Sequence, residues 1–471
     1  MDSTQKFALA QISKQKKALL NDNANISLNN ILNSESFQTI LSECREYRER
    51  IYTPLKTVFI FIKQVLSADK SCKQAVATAA VERVVSGEQE TSMNTGPYTK
   101  ARQRLPEPAI KALVKETGMA ASAKALDAWK FFNREVKLID GFSCSAPDTE
   151  ALQAEYPQPT SQAVGCGFPL MRLVAVMSLT SGTVLDYAIG PYKGKGTGEH
   201  SLLREIFDTS INKDDIVLGD RYYPSYFLMA ALKDKGADGI FQSHRSRISD
   251  FRTGNILGSK DHIATWNKPV KPEWMKQEEY DSYPNTLEIR EFKIAGRILV
   301  TTFLDSEKYN KKTLATLYLS RWQVEVNIKS IKDTMGMNIL SCKTPEMVRK
   351  EIGIYLLAYN IIRIIMAEAC SIHGCKRNLN PNQVSFKATI QLLNSCMPYF
   401  VGGQMTNANL YEYMLRSIIK NIVGNRPGRC EPRVVKRRPK PFPTLKKPRY
   451  IQREKLMRKM QKIMQQFDAC A

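Results

Sequence analysis

Apolar residues recur with a helical period through the first quarter of the chain, as in PLKTVFIFIKQVL at 54–66, where positions three and four apart form one stripe. No strand-like alternation stands out over residues 1–125, so a helical N-terminal domain is expected there. The texture changes near residue 134. VKLID (136–140) reads as a short buried strand ending on an acid, and MRLVAVMSL and TVLDYAIG, joined around Ser181-Gly182, read as a β-hairpin. EHSLLREIF (199–207) follows as a helix, then DIVLGD (215–220) as a second apolar strand ending on an acid. SYFLMAALKDKG reads as a helix with Pro224 suited to its first turn, and DGIFQSH (238–244) as one more strand. This order predicts an α/β core, a mixed sheet with flanking helices, over about 130–375.

From about 245 to 305 the pattern shifts to Gly, Pro, Trp266, Trp274 and a strand pair, LEIREFKI and RILVTTFL, which together read as a β-rich insertion. A long helix carrying YLSRWQVEVNIKSIK (318–332) comes next, and further helices reach about residue 425. The most apolar run, IGIYLLAYNIIRIIMAEA (352–369), contains Asn360, Arg363 and Glu368, which suits a core helix and argues against a bilayer span. The start, MDSTQKFALAQISKQKK, lacks the apolar centre of a signal peptide, so a cytoplasmic protein close to the nucleoid is expected.

Charge then narrows the partner. Lys and Arg number 69 against 46 acids, a formal +23, which favours a polyanion and nucleic acid first. Residues 426–471 hold 15 of those cations against 3 acids, with six prolines before Tyr450, and read as an extended basic tail ending in a short helix from about Gln452. TGPYTKARQRLP (95–106) sets Tyr98, Lys100, Arg102 and Arg104 on a helix-sized segment that suits either DNA contact or a solvated surface. The ten cysteines show no C-x-x-C spacing and histidines number four, which gives no zinc framework.

The candidate chemistry lies in three carboxylates. Asp140 and Asp220 close two buried strands, and parallel strand ends are where α/β sheets place their sites. On a helix, Tyr318, Arg321, Glu325, Lys329 and Lys332 fall within an arc of about 80°. Seen alone, Glu325 and Lys329 would be an ordinary i,i+4 ion pair. Together with the two aspartates, Glu325 describes an all-oxygen site suited to Mg²⁺ beside cations suited to phosphates.

At these residues the chain resembles the DDE transposases of bacterial insertion sequences. Tyr318, Arg321, Glu325 and Lys332 match the YREK signature of one branch at all four positions, and LIDGFSCSAPDT, VLGDRYYPSYF and YTKARQRLP resemble further blocks of that family. The resemblance implies an RNase H-like catalytic core with a β-strand insertion between the second and third acids. It implies that Asp140, Asp220 and Glu325 hold two Mg²⁺ ions, with Mn²⁺ able to substitute. Tyr318, Arg321 and Lys332 would contact phosphates at the element end, and Lys329 lies on the same face. Trp266 or Trp274 would stack a base flipped from that end. The implied partners are DNA, as terminal inverted repeats and target, and a second copy of the chain in a paired-end complex. The implied reaction is cut-and-paste transposition by hydrolysis at the ends and 3′-OH strand transfer.

Other readings stay open at this point. A catalytically inactive DNA-binding repressor would keep the binding surface, although decay commonly removes an acid or truncates the chain. An end-nonspecific nuclease would use the same core. A phosphate-binding P-loop in GPYKGKGTGEH (190–200) does not fit, because Lys195 is followed by Gly196 instead of Ser or Thr.

Overall fold

The computed structural model describes residues 28–44, 51–401, 407–424 and 445–468. Most of the Pro-rich part of the expected basic tail, residues 425–444, lies outside the described residues. Helices α1 Leu28–Leu32, α2 Glu35–Ser42, α3 Pro54–Leu66, α4 Cys72–Val85, α5 Gly96–Arg104 and α6 Glu107–Ala123 come first, as the 3.6-residue period predicted. The hydroxyls of Ser34, Thr53 and Ser71 accept from the backbone N–H groups of Phe37, Lys56 and Gln74, which caps α2, α3 and α4.

The core follows: β1 Val136–Ser145, α7 Glu150–Glu155, the hairpin β2 Leu170–Ser178 and β3 Val184–Pro191, α8 Glu199–Ser210, β4 Ile216–Gly219, α9 Tyr226–Asp234 and β5 Asp238–Gln242. Pro224 precedes α9 instead of opening it, because the Ser225 hydroxyl takes the capping position by accepting from Leu228. β1 runs antiparallel to β2 and parallel to β4, and β4 is parallel to β5. The spatial order β3-β2-β1-β4-β5, with helices on both faces, is the expected RNase H-like core. Ile139, Val174 and Val176 bury one face of the sheet against Leu202, Leu203 and Ile206 of α8. Leu138, Leu173 and Ala175 bury the other face, in a core shared with the helices that follow the sheet and with α6. Each such aliphatic side chain contributes roughly 1.5–3 kcal/mol when fully buried. Gly118 lets α6 touch β3: a Cβ there would lie 1.9 Å from the Val184 carbonyl oxygen.

The insertion supplies β6 Asn255–Gly258, β7 Asp261–Asn267, α10 Gln277–Ser282, β8 Thr286–Ile294 and β9 Arg297–Thr301. Instead of folding as a separate layer it prolongs the same sheet, since β9 pairs antiparallel with β5 and β8, β7 and β6 follow. This covers the N–H and C=O groups that β5 would otherwise present at an open edge. A buried bidentate pair, Arg290 to Asp261 at 2.8 and 2.7 Å, locks β8 to β7.

The remaining helices are α11 Lys311–Leu319, α12 Trp322–Lys329, α13 Pro345–His373, α14 Phe386–Val401, α15 Asn407–Ile418 and α16 Arg449–Asp468. The expected single helix over 318–332 is therefore divided. Around Ser320 the bonds tighten to i→i−3, from Ser320 to Leu317 and from Arg321 to Tyr318. Past α12, residues Ser330–Thr334 widen to a π-turn, with Met335 bonded to Ser330. α13 is long and apolar enough to cross a membrane, but it is buried within this core. Asn360 explains why a polar residue belongs in it: its amide accepts from Val184 N and donates to the Val114 and Val184 carbonyls, tying α13 to β3 and α6. α16 is a twenty-residue helix, longer than expected, and its described side chains are exposed.

Candidate active site

β1 does not end at Asp140. It continues five residues further because β2 pairs with it as far as Ser145, opposite Leu170. The parallel partner β4, by contrast, pairs only as far as Leu218 opposite Leu138. Asp140 thus sits beyond the register of β4, where the chain turns out of the sheet at Asp220. Asp220 is close enough for its charge to act on the Asp140 carboxyl. Gly141 N–H donates to Asp140 Oδ1 at 2.8 Å, and Tyr222 N–H to Asp220 Oδ1 at 2.7 Å. Burial pushes the Asp140 carboxyl up to about 7, with Asp220 and Glu199 adding to the rise while the Gly141 bond and Arg321 oppose it.

Glu199, the first residue of α8, is a fourth carboxylate at this place, and sequence reading missed it. Its side chain lies over Gly141, where a Cβ would be 2.3 Å from the Glu199 carboxyl carbon. Tyr223 Oη donates to it at 3.1 Å, and burial raises its pKa. Side chains alternate across a strand, so Asp140 shares the face of Leu138 whereas Gly141 shares the face of Ile139. Gly141 is the signal that could have found Glu199, since only a residue without a Cβ leaves room for it.

α12 packs against β1 on the Asp140 face. Arg321 Nη2 donates to Glu325 Oε1 at 2.8 Å, so the i,i+4 partner of Glu325 is Arg321, not Lys329. Lys329 is exposed. Tyr318 is buried, and burial raises its phenol pKa, with Arg321 and Asp220 both within electrostatic reach. Lys332 lies in the π-turn, half-buried, and acts on the charge of Cys144 near the end of β1. The row of cations therefore follows β1 from the aspartates toward its C-terminal end.

The sequence family described as "Transposase DDE domain" matches residues 132–361, which contain all of these positions. The transposase InsG of insertion sequence element IS4 from Escherichia coli (strain K12) is 26% identical over 361 residues, 74% of this chain and 78% of its own length. Residues 132–361 of this chain form a transposase DDE domain. A putative transposase, InsZ, from the same strain is 30% identical over 167 residues, 34% of this chain and 54% of InsZ. Among solved structures, a piggyBac transposase synaptic complex with hairpin DNA aligns over 86% of each chain, at 10% identity and a TM-score of 0.43.

DDE transposases generally use a divalent metal. Among the described residues no three acidic, histidine or cysteine side chains converge as a closed metal cage. The donor set of this chain nonetheless fits a hard cation: Asp140 and Asp220 offer carboxylate oxygens side by side, and Asp140 is held where its negative charge is poorly solvated. Glu325 completes the set in sequence, but its ion pair turns it to Arg321.

The other candidates divide by burial. Trp266 is buried at 4% exposure, donates Nε1–H to Glu291 at 2.7 Å and carries the Arg247 guanidinium 3.4 Å from its ring centre. Its faces are occupied within the sheet extension, which removes it as a stacking platform in this conformation. Trp274, 45% exposed, lies under Arg204 at 3.6 Å. On α5, Tyr98 and Arg102 turn inward: both bond Gln64, and Arg102 stacks on Phe61 and Tyr98. They hold the N-terminal helices together and are closed to DNA, which leaves Lys100 and Arg104 on the exposed face. The apolar stripe of α3 recruits the aromatic ring and the guanidinium stem, and this outweighs the solvation of an arginine on a surface helix.

Proposed function

We propose that this protein cuts its element free and inserts it by two phosphoryl transfers at the Asp140, Asp220 and Glu325 carboxylates, and that it belongs to the YREK-signature branch. The observation that carries this is the juxtaposition of the Asp140–Asp220 pair with a signature helix whose guanidinium already reaches one of the three acids. In the first transfer, water forms a bond to the phosphorus at the element end and the bond to the 3′-oxygen breaks, leaving a 3′-OH. In the second, that hydroxyl attacks a target phosphorus, and the target's own 3′-oxygen leaves and takes up a proton. Two Mg²⁺ ions, or Mn²⁺ in their place, would activate the attacking oxygen and stabilise the leaving one. Asp140, Asp220 and Glu325 would hold them.

The chain's own cations orient the substrate. Arg321 pairs with Glu325 in the free protein, and an incoming phosphate competes for the same guanidinium. Phosphate capture by Arg321 then frees Glu325 to join the aspartates, so the site is completed where an element end is bound. Lys329 and Lys332 extend the phosphate track, with Tyr318 packed beneath it. Lys100, Arg104 and Trp274 are the exposed candidates for contacts farther along the end. The functional unit is a homodimer pairing two ends, acting on bacterial DNA in the cytoplasm.

The test is Mg²⁺-dependent cleavage and joining of a duplex carrying the element's terminal inverted repeat. Joined product is expected, whereas cuts without joining would assign a nuclease and binding without cuts a repressor. Arg321→Ala should weaken end binding about tenfold, the loss of one charge-assisted phosphate contact. End binding unchanged by this substitution would remove Arg321 from the phosphate track.

A further inference from the structure

The Gly-rich segment between β3 and α8 is not used by the mechanism above, yet it ends at the active site. It runs from Tyr192 to Gly198 and continues directly into Glu199, whose carboxylate lies over Gly141 beside Asp140. Arg172 of β2 holds it from below, donating to the Thr197 carbonyl at 2.9 Å and stacking on Tyr192 at 4.6 Å. Thr197 Oγ1 closes the turn on the Gly194 carbonyl at 3.0 Å. Gly196 has φ +71°, a left-handed conformation that favours glycine, and a Cβ there would meet nothing within 4 Å. Lys193 and Lys195 stand exposed on this anchored turn, and among the described residues neither ammonium has an acidic partner. Beside it, Arg221 is exposed and Tyr222 is 50% exposed, its hydroxyl reaching toward Gly198.

The side of the sheet matters. α12 comes to the aspartates from the face that buries Leu138, whereas α8 and its preceding loop come from the face that buries Ile139. The sheet at the Asp140–Asp220 pair therefore has the signature helix on one face and α8, with its cationic preceding loop, on the other. Strand transfer brings two separate duplexes to the same carboxylates, and one face cannot hold both.

We propose that the Tyr192–Gly198 loop, with Arg221 and Tyr222, holds target DNA for strand transfer, opposite the signature helix that holds the element end. This rests on the transposition reading above. Lysines on a bare glycine-rich turn reach phosphates as point charges and offer no planar fork for base edges. Such a surface grips duplex backbone with little regard for sequence, which is what an insertion target requires.

The test uses the full-length protein and the double variant Lys193→Glu/Lys195→Glu. One substrate is an inverted-repeat duplex with flanking DNA, scored for cleavage; the other is a pre-cut end with a free 3′-OH plus plasmid, scored for joining. The variant should bind and cut ends within about twofold of wild type, while joining falls on the order of tenfold or more. The slope of log affinity against log salt for random-sequence duplex should flatten by about 1.8, at roughly 0.9 per lost phosphate contact. Lys193→Arg/Lys195→Arg should keep joining, because the charge is retained. Undiminished joining by the Glu variant would overturn the proposal. Equal losses in cleavage and joining would overturn it too, and would assign the loop to flanking donor DNA. Wild-type protein that neither cuts nor joins would sink the transposition reading and this proposal with it.

Discussion

Glu325→Gln is expected to lower Mg²⁺-dependent strand cleavage by on the order of a thousandfold or more while binding to element-end DNA persists or strengthens. The substitution keeps side-chain size and hydrogen bonding but removes a negative charge beside the phosphates. In the free protein it also releases Arg321, whose guanidinium donates to Glu325 at 2.8 Å. That pair is partly solvent-exposed, so its loss should cost only about 0.5 kcal/mol of stability. The contrast between a large catalytic loss and a small stability change is the diagnostic. Gel shift, cleavage and thermal unfolding measured on one preparation would show it. Near-normal cleavage would leave Glu325 as half of a surface ion pair and nothing more.

Asp140→Asn should abolish cleavage by a similar factor and, unlike Glu325→Gln, make the protein more stable at pH 8 when divalent metal is chelated. Burial is the main reason the Asp140 carboxyl is pushed up to about 7, so its ionised form is less stable in the folded chain than in the unfolded one. A raised carboxyl pKa means that the folded state binds the proton more tightly. The ionised group therefore destabilises the fold above pH 7. That penalty fades as pH falls through 7 and is gone near the unfolded value of about 4. Asn carries no such charge. The variant should gain up to about 4 kcal/mol at pH 8, about three pKa units at roughly 1.4 kcal/mol each, with the difference shrinking toward zero near pH 4. Urea unfolding of both proteins in chelator at the two pH values is the measurement. A variant less stable at pH 8 would mean that the Gly141 hydrogen bond outweighs the desolvation of the charge.

Much of this protein was determined by local sequence. Helical periods over 54–66, apolar strands at 136–140 and 215–220 and the hairpin around Gly182 depend on side-chain spacing and turn chemistry, which act within a few residues. The placement of Asp140 and Asp220 on those strands, and of Glu325 on a helix over 318–332, was legible for the same reason, whereas their shared catalytic role is what we propose. Tertiary structure decided what those elements meet. Asp140 lies within β1 because β2 is long and β4 short, a matter of register between strands far apart in sequence. Tyr98 and Arg102 are buried because α3 presents Phe61 and Gln64 to them, and no pattern within 95–106 carries that information. The insertion became part of the main sheet because β5 had an edge to cover. Glu199 joined the site because a glycine on β1 left space for a residue on α8, and pairings of that kind are set only when the chain has packed.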